Sequence, residues 1–423
     1  MIVELPYGRG LSAVDLPDDR TDVVLPMPAA PAPDPAALLR RTLRAAPELA
    51  RLRAMTRTGR SVVVSVCDHT RPQPRALMLE ALLDVLGPAD DDVTVLVATG
   101  THRGSTDAEL DEMLGPELRR RLRVVNHDCE QNHVALGTVR GLPGGDVDVA
   151  VDRRWVEADI RITTGFVEPH FFAGFSGGPK LVTPGLAALH TVQALHNVER
   201  IAAPRSIWGV VEDNPVHIGI RAAAALAPPD LAFDVLLDRE HRITHAFAGA
   251  LDEMHAAACA TAREVAMRAV PARYPVVVTT NAGHPLDQNL YQAVKGMRSA
   301  AQIVAEGGLI VCAAECADGI PDGSPFAEQI LRGRSPRRIL ADLAAAPEPI
   351  PEQWQIQVLA QLLSHARIGL HCSGIDDDTV RAAGLVPVPD IAAAVRDALA
   401  AAGPDARVCV LPSGAETIPF VGA

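Results

Sequence analysis

The stretch SVVVSVCDHTRPQPRALMLEALLDVLGPADDDVTVLVATGTHRG, residues 61–104, decides the fold. Ser61 to Val66 is a continuous β-branched run and reads as a buried strand. A polar loop follows, Asp68-His69-Thr70-Arg71-Pro72, and then Arg75 to Leu86 reads as a helix. Asp92 to Thr99 is the next strand, ending in Gly100-Thr101-His102-Arg103-Gly104. Ser105 or Thr106 caps a further helix, with Asp107 and Glu109 in its first turn. A succession of strand, loop and helix predicts a mainly parallel sheet covered by helices. In such sheets ligands bind at the loops that follow the carboxyl ends of the strands.

Working outward, Arg123 to Asn126 and Asp159 to Thr164 are further strands of this pattern. The polar clusters Asp68–Arg71, Gly100–Arg103 and Gly165–Lys180 therefore all follow strands and fall on one edge. Leu251 to Val270 reads as a long helix, with Pro271 and Pro275 bracketing its end, and Pro275 to Thr280 restarts a strand. A domain boundary is expected near Ala272, giving two α/β domains, 1–271 and 272–423, with the active site in the cleft between them. The second domain alternates in the same way. Helices are expected over Asp287 to Val304, Glu352 to His365 and Ile391 to Ala401, with strands over Gly308 to Ala314, Ala366 to His371 and Arg407 to Leu411. Pro26 to Pro35 is a Pro/Ala connector.

Composition narrows the function. The chain has 423 residues, 48% hydrophobic and 22% charged, enough to bury substantial cores. The net charge of −13 and an aromatic content of 3% argue against a nucleic-acid partner, which needs basic tracks and stacking rings. The seven cysteines are scattered without a C-x-x-C pair, as in a reduced, cytoplasmic protein. No secretion signal is read at the N-terminus, and no apolar run approaches the ~20 residues of a membrane helix.

The most informative segment is TGFVEPHFFAGFSGGPKLVTPG, residues 164–185, with five glycines, one histidine and one lysine. Glycines let backbone approach a ligand, so Ser176-Gly177-Gly178-Pro179-Lys180 is expected to cradle a phosphate or carboxylate. It is neither a P-loop nor a dinucleotide fingerprint. A lone loop histidine is more often structural than catalytic. His102 and His170, however, sit in loops expected on the same sheet edge, and imidazole is the natural proton carrier near neutral pH. His196 lies in the helical stretch His190 to Arg200, and a neutral imidazole suits nickel. In the second half, Asp287 is the expected N-cap of a helix on which Gln292 and Lys295 share a face.

Several blocks together resemble the nickel-dependent lactate racemases and their 2-hydroxyacid racemase and epimerase relatives. They are Leu5-Pro6-Tyr7-Gly8, Asp68-His69-Thr70-Arg71-Pro72, Ala98 to Arg103, Glu168 to Gly185, His196-Asn197, Asn214-Pro215-Val216-His217, Pro285 to Gly296 and Gln353-Trp354-Gln355. The resemblance implies a nickel-pincer nucleotide (pyridinium-3,5-bisthiocarboxylic acid mononucleotide nickel) tethered covalently to Lys180, with His196 as the nickel ligand. Ser176, Gly177 and Gly178 would flank the cofactor. It also implies His102 and His170 as the acid/base pair. Asp68, Arg71, Gln292, Lys295 and Trp354 would line the substrate site, with Arg71 on its carboxylate. The expected partners are a small 2-hydroxy acid and the proteins that make the cofactor. Pro179 departs from the family pattern, which has a third glycine before the lysine. A nicotinamide-dependent oxidoreductase and a non-catalytic nickel or nucleotide binder are the competing readings.

Overall fold

The computed structural model describes residues 1–321, 323–346 and 349–422. The chain divides into two compact units, one of residues 28–265 and one of residues 1–27 with 266–423.

The 28–265 unit is built on six strands: β1 (Val62–Cys67), β2 (Val93–Ala98), β3 (Arg123–Asn126), β4 (Ile160–Phe166), β5 (Leu231–Leu237) and β6 (Ile243–Gly249). Their spatial order is β6-β5-β4-β1-β2-β3. All neighbours are parallel except β5 and β6, which form an antiparallel edge pair. Every residue of β1 is buried, as its β-branched run requires of a central strand covered on both faces. Its valines pack with Leu79, Leu82 and Leu86 of helix Arg75–Leu86 and with Phe233 of β5 in one continuous core.

The chain winds from β1 outward through β2 to β3. It then returns to the other side of β1 and winds outward through β4 to β5. The direction of winding reverses between β1 and β4. At such a switch point the loops leaving two adjacent strands diverge and open a crevice at their carboxyl ends. The loops after β1, β2 and β4 carry Asp68, His102 and the 167–185 segment.

The other unit holds a second parallel six-stranded sheet, in the order Val386–Pro387, Arg367–His371, Val304–Ala313, Tyr274–Thr280, Val408–Leu411, Thr21–Val23. The division differs from a single break near Ala272. Thr21–Val23 pairs with Val408–Leu411, and Val3, Leu5, Val14 and Leu16 of the N-terminal hairpin join the core of this second sheet. The helix expected to reach Val270 stops at Ala266, because Met267–Val270 pairs in parallel with Ile418–Val421. A long-range strand pairing here overrides a local helical pattern. The helix expected from Asp287 runs over Leu290–Ala300 and is capped by Asn289, which accepts the Gln292 N–H. Asp287 is buried instead, accepting the backbone N–H groups of Gly8 (2.7 Å) and Glu315 (3.0 Å). No helix among the described residues is long and apolar enough to cross a membrane.

Candidate active site

The loop after β1 is shaped from beneath by two buried side chains. Gln73 accepts the Cys67 N–H (2.8 Å) and donates to the Thr164 hydroxyl on β4 (3.0 Å). Arg75 donates to the carbonyls of Cys67 (2.7 Å), Gln73 (3.1 Å) and Arg71 (2.7 Å), and also to that of Asp68. With its backbone gathered this way, the loop presents Asp68, which is only 3% exposed. One carboxylate oxygen accepts the Thr70 N–H (3.0 Å) and hydroxyl (2.6 Å). The other lies 2.6 Å from His102 Nδ1. Burial alone would raise the carboxyl pKa. The His102 hydrogen bond and charge, Arg71 and the Thr70 hydroxyl outweigh burial and hold it well below the usual range. Asp68, expected against substrate, therefore grips His102. Arg71 is exposed, and among the described residues its guanidinium is in no ion pair.

His102 reaches Asp68 because the loop after β2 turns sharply. Gly100 adopts φ +55° and donates to the Gly185 carbonyl (3.0 Å), and the His102 N–H closes on the Thr99 carbonyl (2.9 Å). This ties the β2 loop to the end of the 167–185 segment.

The segment after β4 folds back on itself. Ser176 closes the loop: its N–H donates to the Glu168 carbonyl (2.8 Å), and its hydroxyl accepts the Glu168 N–H (2.9 Å) and donates to the Phe166 carbonyl (3.0 Å). Inside the loop the His170 ring stacks on Phe171 (4.8 Å) and meets the edge of Phe172 (4.6 Å). His170 Nδ1 accepts the Ala173 N–H at 3.2 Å and faces that of Phe172 at 3.5 Å. Phe172 in turn lies edge-on to His196, 5.5 Å away. One phenyl ring thus touches two of the candidate imidazoles.

Gly177 (φ +71°) and Gly178 (φ +51°) bring the lysine turn down onto buried polar groups. The Gly178 N–H donates to Asp234 on β5 (2.6 Å). A Cβ on Gly177 would lie 2.6 Å from that carboxylate, and one on Gly178 would lie 2.5 Å from the His255 ring. These glycines serve close packing, and the Gly178 N–H is not available to a phosphate. Pro179 fits the first turn of the short 3₁₀ helix Gly178–Leu181, so the departure from a third glycine is accommodated without distortion. Burial pushes Asp234 up to about 6.

Around Lys180 the histidines are neutral. Burial lowers His196 to about 4, with the Lys180 and Arg200 charges adding to the effect. His196 sits at the end of helix Leu189–Leu195 and donates Nδ1–H to the Val192 carbonyl (2.8 Å), which leaves Nε2 as the lone-pair nitrogen. Burial likewise takes His255 down to about 4 and His217 to about 3, with Lys180 again contributing. Their rings stack at 5.6 Å, and His255 Nε2 donates to the Ser176 carbonyl (2.9 Å).

Gln292, Lys295 and Trp354 lie in the other unit, on helices Leu290–Ala300 and Gln353–His365. Trp354 donates to the Tyr291 hydroxyl (3.1 Å), joining the two helices. Sequence reasoning passed over Gln73, Arg75, Asp234 and His255. Of these Asp234 had a signal, a lone carboxylate inside the apolar run LAFDVLL.

Two family models match the chain: the lactate racemase N-terminal domain over residues 7–209 and the lactate racemase C-terminal domain over residues 269–418. A lactate racemase of Thermoanaerobacterium thermosaccharolyticum is 34% identical over 426 residues, 98% of each chain. One of Lactiplantibacillus plantarum is 34% identical over 369 residues, 86% of each. The solved structure of the lactate racemase apoprotein from T. thermosaccharolyticum superposes with a TM-score of 0.90 at 33% identity, covering 99% of this chain and all of that one. A Thermotoga maritima structure, 18% identical with a TM-score of 0.65, covers 89% of this chain and 97% of its own and shares the fold.

Two stability measurements check this geometry. Arg75→Met leaves four carbonyls of the β1 loop without their donor and should cost roughly 3 kcal/mol by urea unfolding; a loss under about 1 kcal/mol would mean the loop holds itself. Asp234 titrates near 6 folded and near 4 unfolded. The folded state binds that proton more tightly, so stability falls by about 3 kcal/mol as pH rises from about 4 through 6. Asp234→Asn should remove this slope, and an unchanged pH profile of the unfolding midpoint would reject the assignment.

Proposed function

Because this chain belongs to the lactate racemase family, a family of isomerases, we propose that it interconverts the two hands of a short 2-hydroxy acid. One observation carries the reading: an imidazole gripped at 2.6 Å by a buried carboxylate, His102 on Asp68, at the sheet edge that also bears His170, His196 and Lys180. Such a pair is the arrangement of an acid/base catalyst.

Inversion at C2 requires the C–H bond to break beside a carboxylate, where a proton is held too tightly for imidazole to remove. Bound at this edge, a nickel-pincer nucleotide would supply reversible hydride chemistry at C2. The residues present fit such a group. His196 is neutral at working pH, and its Nδ1 is held by a carbonyl, so Nε2 is presented as a nickel ligand. Among the described residues no three His, Cys, Asp or Glu side chains gather to hold a metal alone. The chain would contribute one donor and the organic group the rest. Lys180, in its turn between neutral histidines, provides the amine for a covalent tether.

His102 and His170 exchange the hydroxyl proton, one for each hand of the substrate. The exposed Arg71 guanidinium beside Asp68 holds the substrate carboxylate, as a planar fork suits two oxygens. Gln292, Lys295 and Trp354 are proposed as substrate contacts on chemical grounds, an amide, an ammonium and an indole suited to hydroxyl and carboxylate. Ser176, Gly177 and Gly178 support the cofactor by shaping the lysine turn. The proteins that synthesise and load the cofactor are the expected partners, in the cytoplasm.

The test is a chiral assay of protein produced together with that machinery. Each single enantiomer of lactate should approach the racemate without added nicotinamide. His102→Ala and His170→Ala should each reduce the rate by about 10²-fold or more. Lys180→Ala should lose the mass adduct seen in intact protein. Net keto-acid formation that depends on added NAD, or an adduct that survives Lys180→Ala, would overturn the reading.

A further inference from the structure

A guanidinium taken out of water ordinarily finds acceptors for its N–H groups. Arg75 and Arg200 do so. Arg75 donates to four carbonyls of the β1 loop, and Arg200 donates to those of Ala194 and Gly145. Arg298 is different. It is half-buried in the last turn of helix Leu290–Ala300, and burial pushes its guanidinium down to about 10, with no carboxylate opposing the shift. Among the described residues it makes no hydrogen bond and no ion pair. It remains a cation at neutral pH, a planar fork of donors held partly out of water without an acceptor.

Its place on the helix says what that fork faces. Tyr291, Lys295 and Arg298 follow the spacing i, i+4, i+7, so they form one stripe, and each is half-buried. Trp354 donates to the Tyr291 hydroxyl at the start of the stripe. Arg298 is therefore the next turn of the face that bears Lys295, about 5 Å further along the axis.

We propose that Arg298 receives a second carboxylate of the substrate, so that the chain takes a 2-hydroxy diacid in preference to lactate. The proposal rests on the racemase reading, which sets Lys295 and Trp354 against the substrate and gives the carboxylate beside C2 to Arg71. A further carboxylate suits the empty fork, because two parallel N–H···O bonds satisfy both partners. The attraction is stronger for being made where water is scarce. A phosphate suits the position less. Phosphates gather at helix N-termini and glycine loops, where several backbone N–H groups converge. Arg298 stands at the other end of its helix, where the dipole is negative and disfavours a dianion. Lactate has one carboxylate only and leaves the fork empty.

The experiment is isothermal titration calorimetry of the cofactor-loaded chain with malate, lactate and inorganic phosphate, beside a chiral assay of both acids. Malate should bind more tightly than lactate by about 10-fold or more. Arg298→Gln should abolish that preference, and Arg298→Lys, a point charge without the fork, should restore part of it. In the chiral assay the loss should fall on KM for malate far more than on kcat. The urea midpoint of Arg298→Gln should not drop, since no partner is lost; a drop would make Arg298 structural and overturn the proposal. Malate binding no tighter than lactate, a preference that survives Arg298→Gln, or phosphate binding through Arg298 more tightly than malate would each do the same. Inversion of lactate without any malate preference would keep the racemase reading and remove this one. An Arg298-dependent preference in a chain that inverts neither acid would keep the diacid site and remove the racemase reading.

Discussion

A buried guanidinium must find acceptors for its N–H groups, and Arg75 satisfies four of its five in the loop that leaves the central strand. Four carbonyls, of Cys67, Asp68, Arg71 and Gln73, turn inward to it. A loop that spends its carbonyls inward presents its side chains outward, which is how Asp68 comes to face His102 and how Arg71 comes to stand exposed beside it. Gln73 then couples this loop to β4 through Thr164 and to β1 through the Cys67 N–H, so one side chain holds the strands on both sides of the switch point. The crevice follows from topology; its chemical lining follows from these contacts.

The second organising feature is the management of charge around Lys180. Three imidazoles within reach of its field are buried, and each is kept neutral by burial first; the lysine adds to this at all three, behind His255 and Arg221 at His217. Asp252 pulls His255 the other way, but by less than burial and the Lys180 charge. Asp234, the nearby buried acid, is itself pushed toward neutrality and already accepts the Gly178 N–H. Neutral imidazoles in this setting are bases and ligands. His196 is the one whose remaining nitrogen is directed by a carbonyl of its own helix, the geometry metal-binding histidines use.

Much of this was legible in the sequence, for identifiable reasons. The run SVVVSV can only be a central strand, and the parallel-sheet rule then places residues 68, 102 and 170 on one edge without any coordinates. What could not be read depended on partners distant in the chain. Nothing in Met267–Val270 announces Ile418–Val421 as its neighbour, and nothing in the N-terminal hairpin announces the core around Val276 and Val278. Asp287 has the spacing of a helix cap, and only the approach of Gly8 and Glu315 gives it a different task. Asp68 was legible as a loop residue at that edge, while its hold on His102 was not, because thirty-odd residues and a whole helix separate them in the chain.

The glycine-rich turn shows the same limit from the other side. Glycine pairs before a lysine suggest bare N–H groups waiting for an anion, although composition fits a plain tight turn with a solvated lysine equally well. The structure uses them for the opposite property, the absence of a side chain. At Gly177 and Gly178 any Cβ would collide with Asp234 or His255, and the one N–H that points inward is taken by the Asp234 carboxylate. That close approach sets Lys180 among the buried imidazoles of His196, His217 and His255, whose neutral forms its charge favours. A proline can then follow the glycines, since the position it occupies opens a 3₁₀ turn where its ring fits. The difference from the family pattern at Pro179 thus falls where the turn is governed by packing, and it leaves the lysine and its neutral surroundings intact.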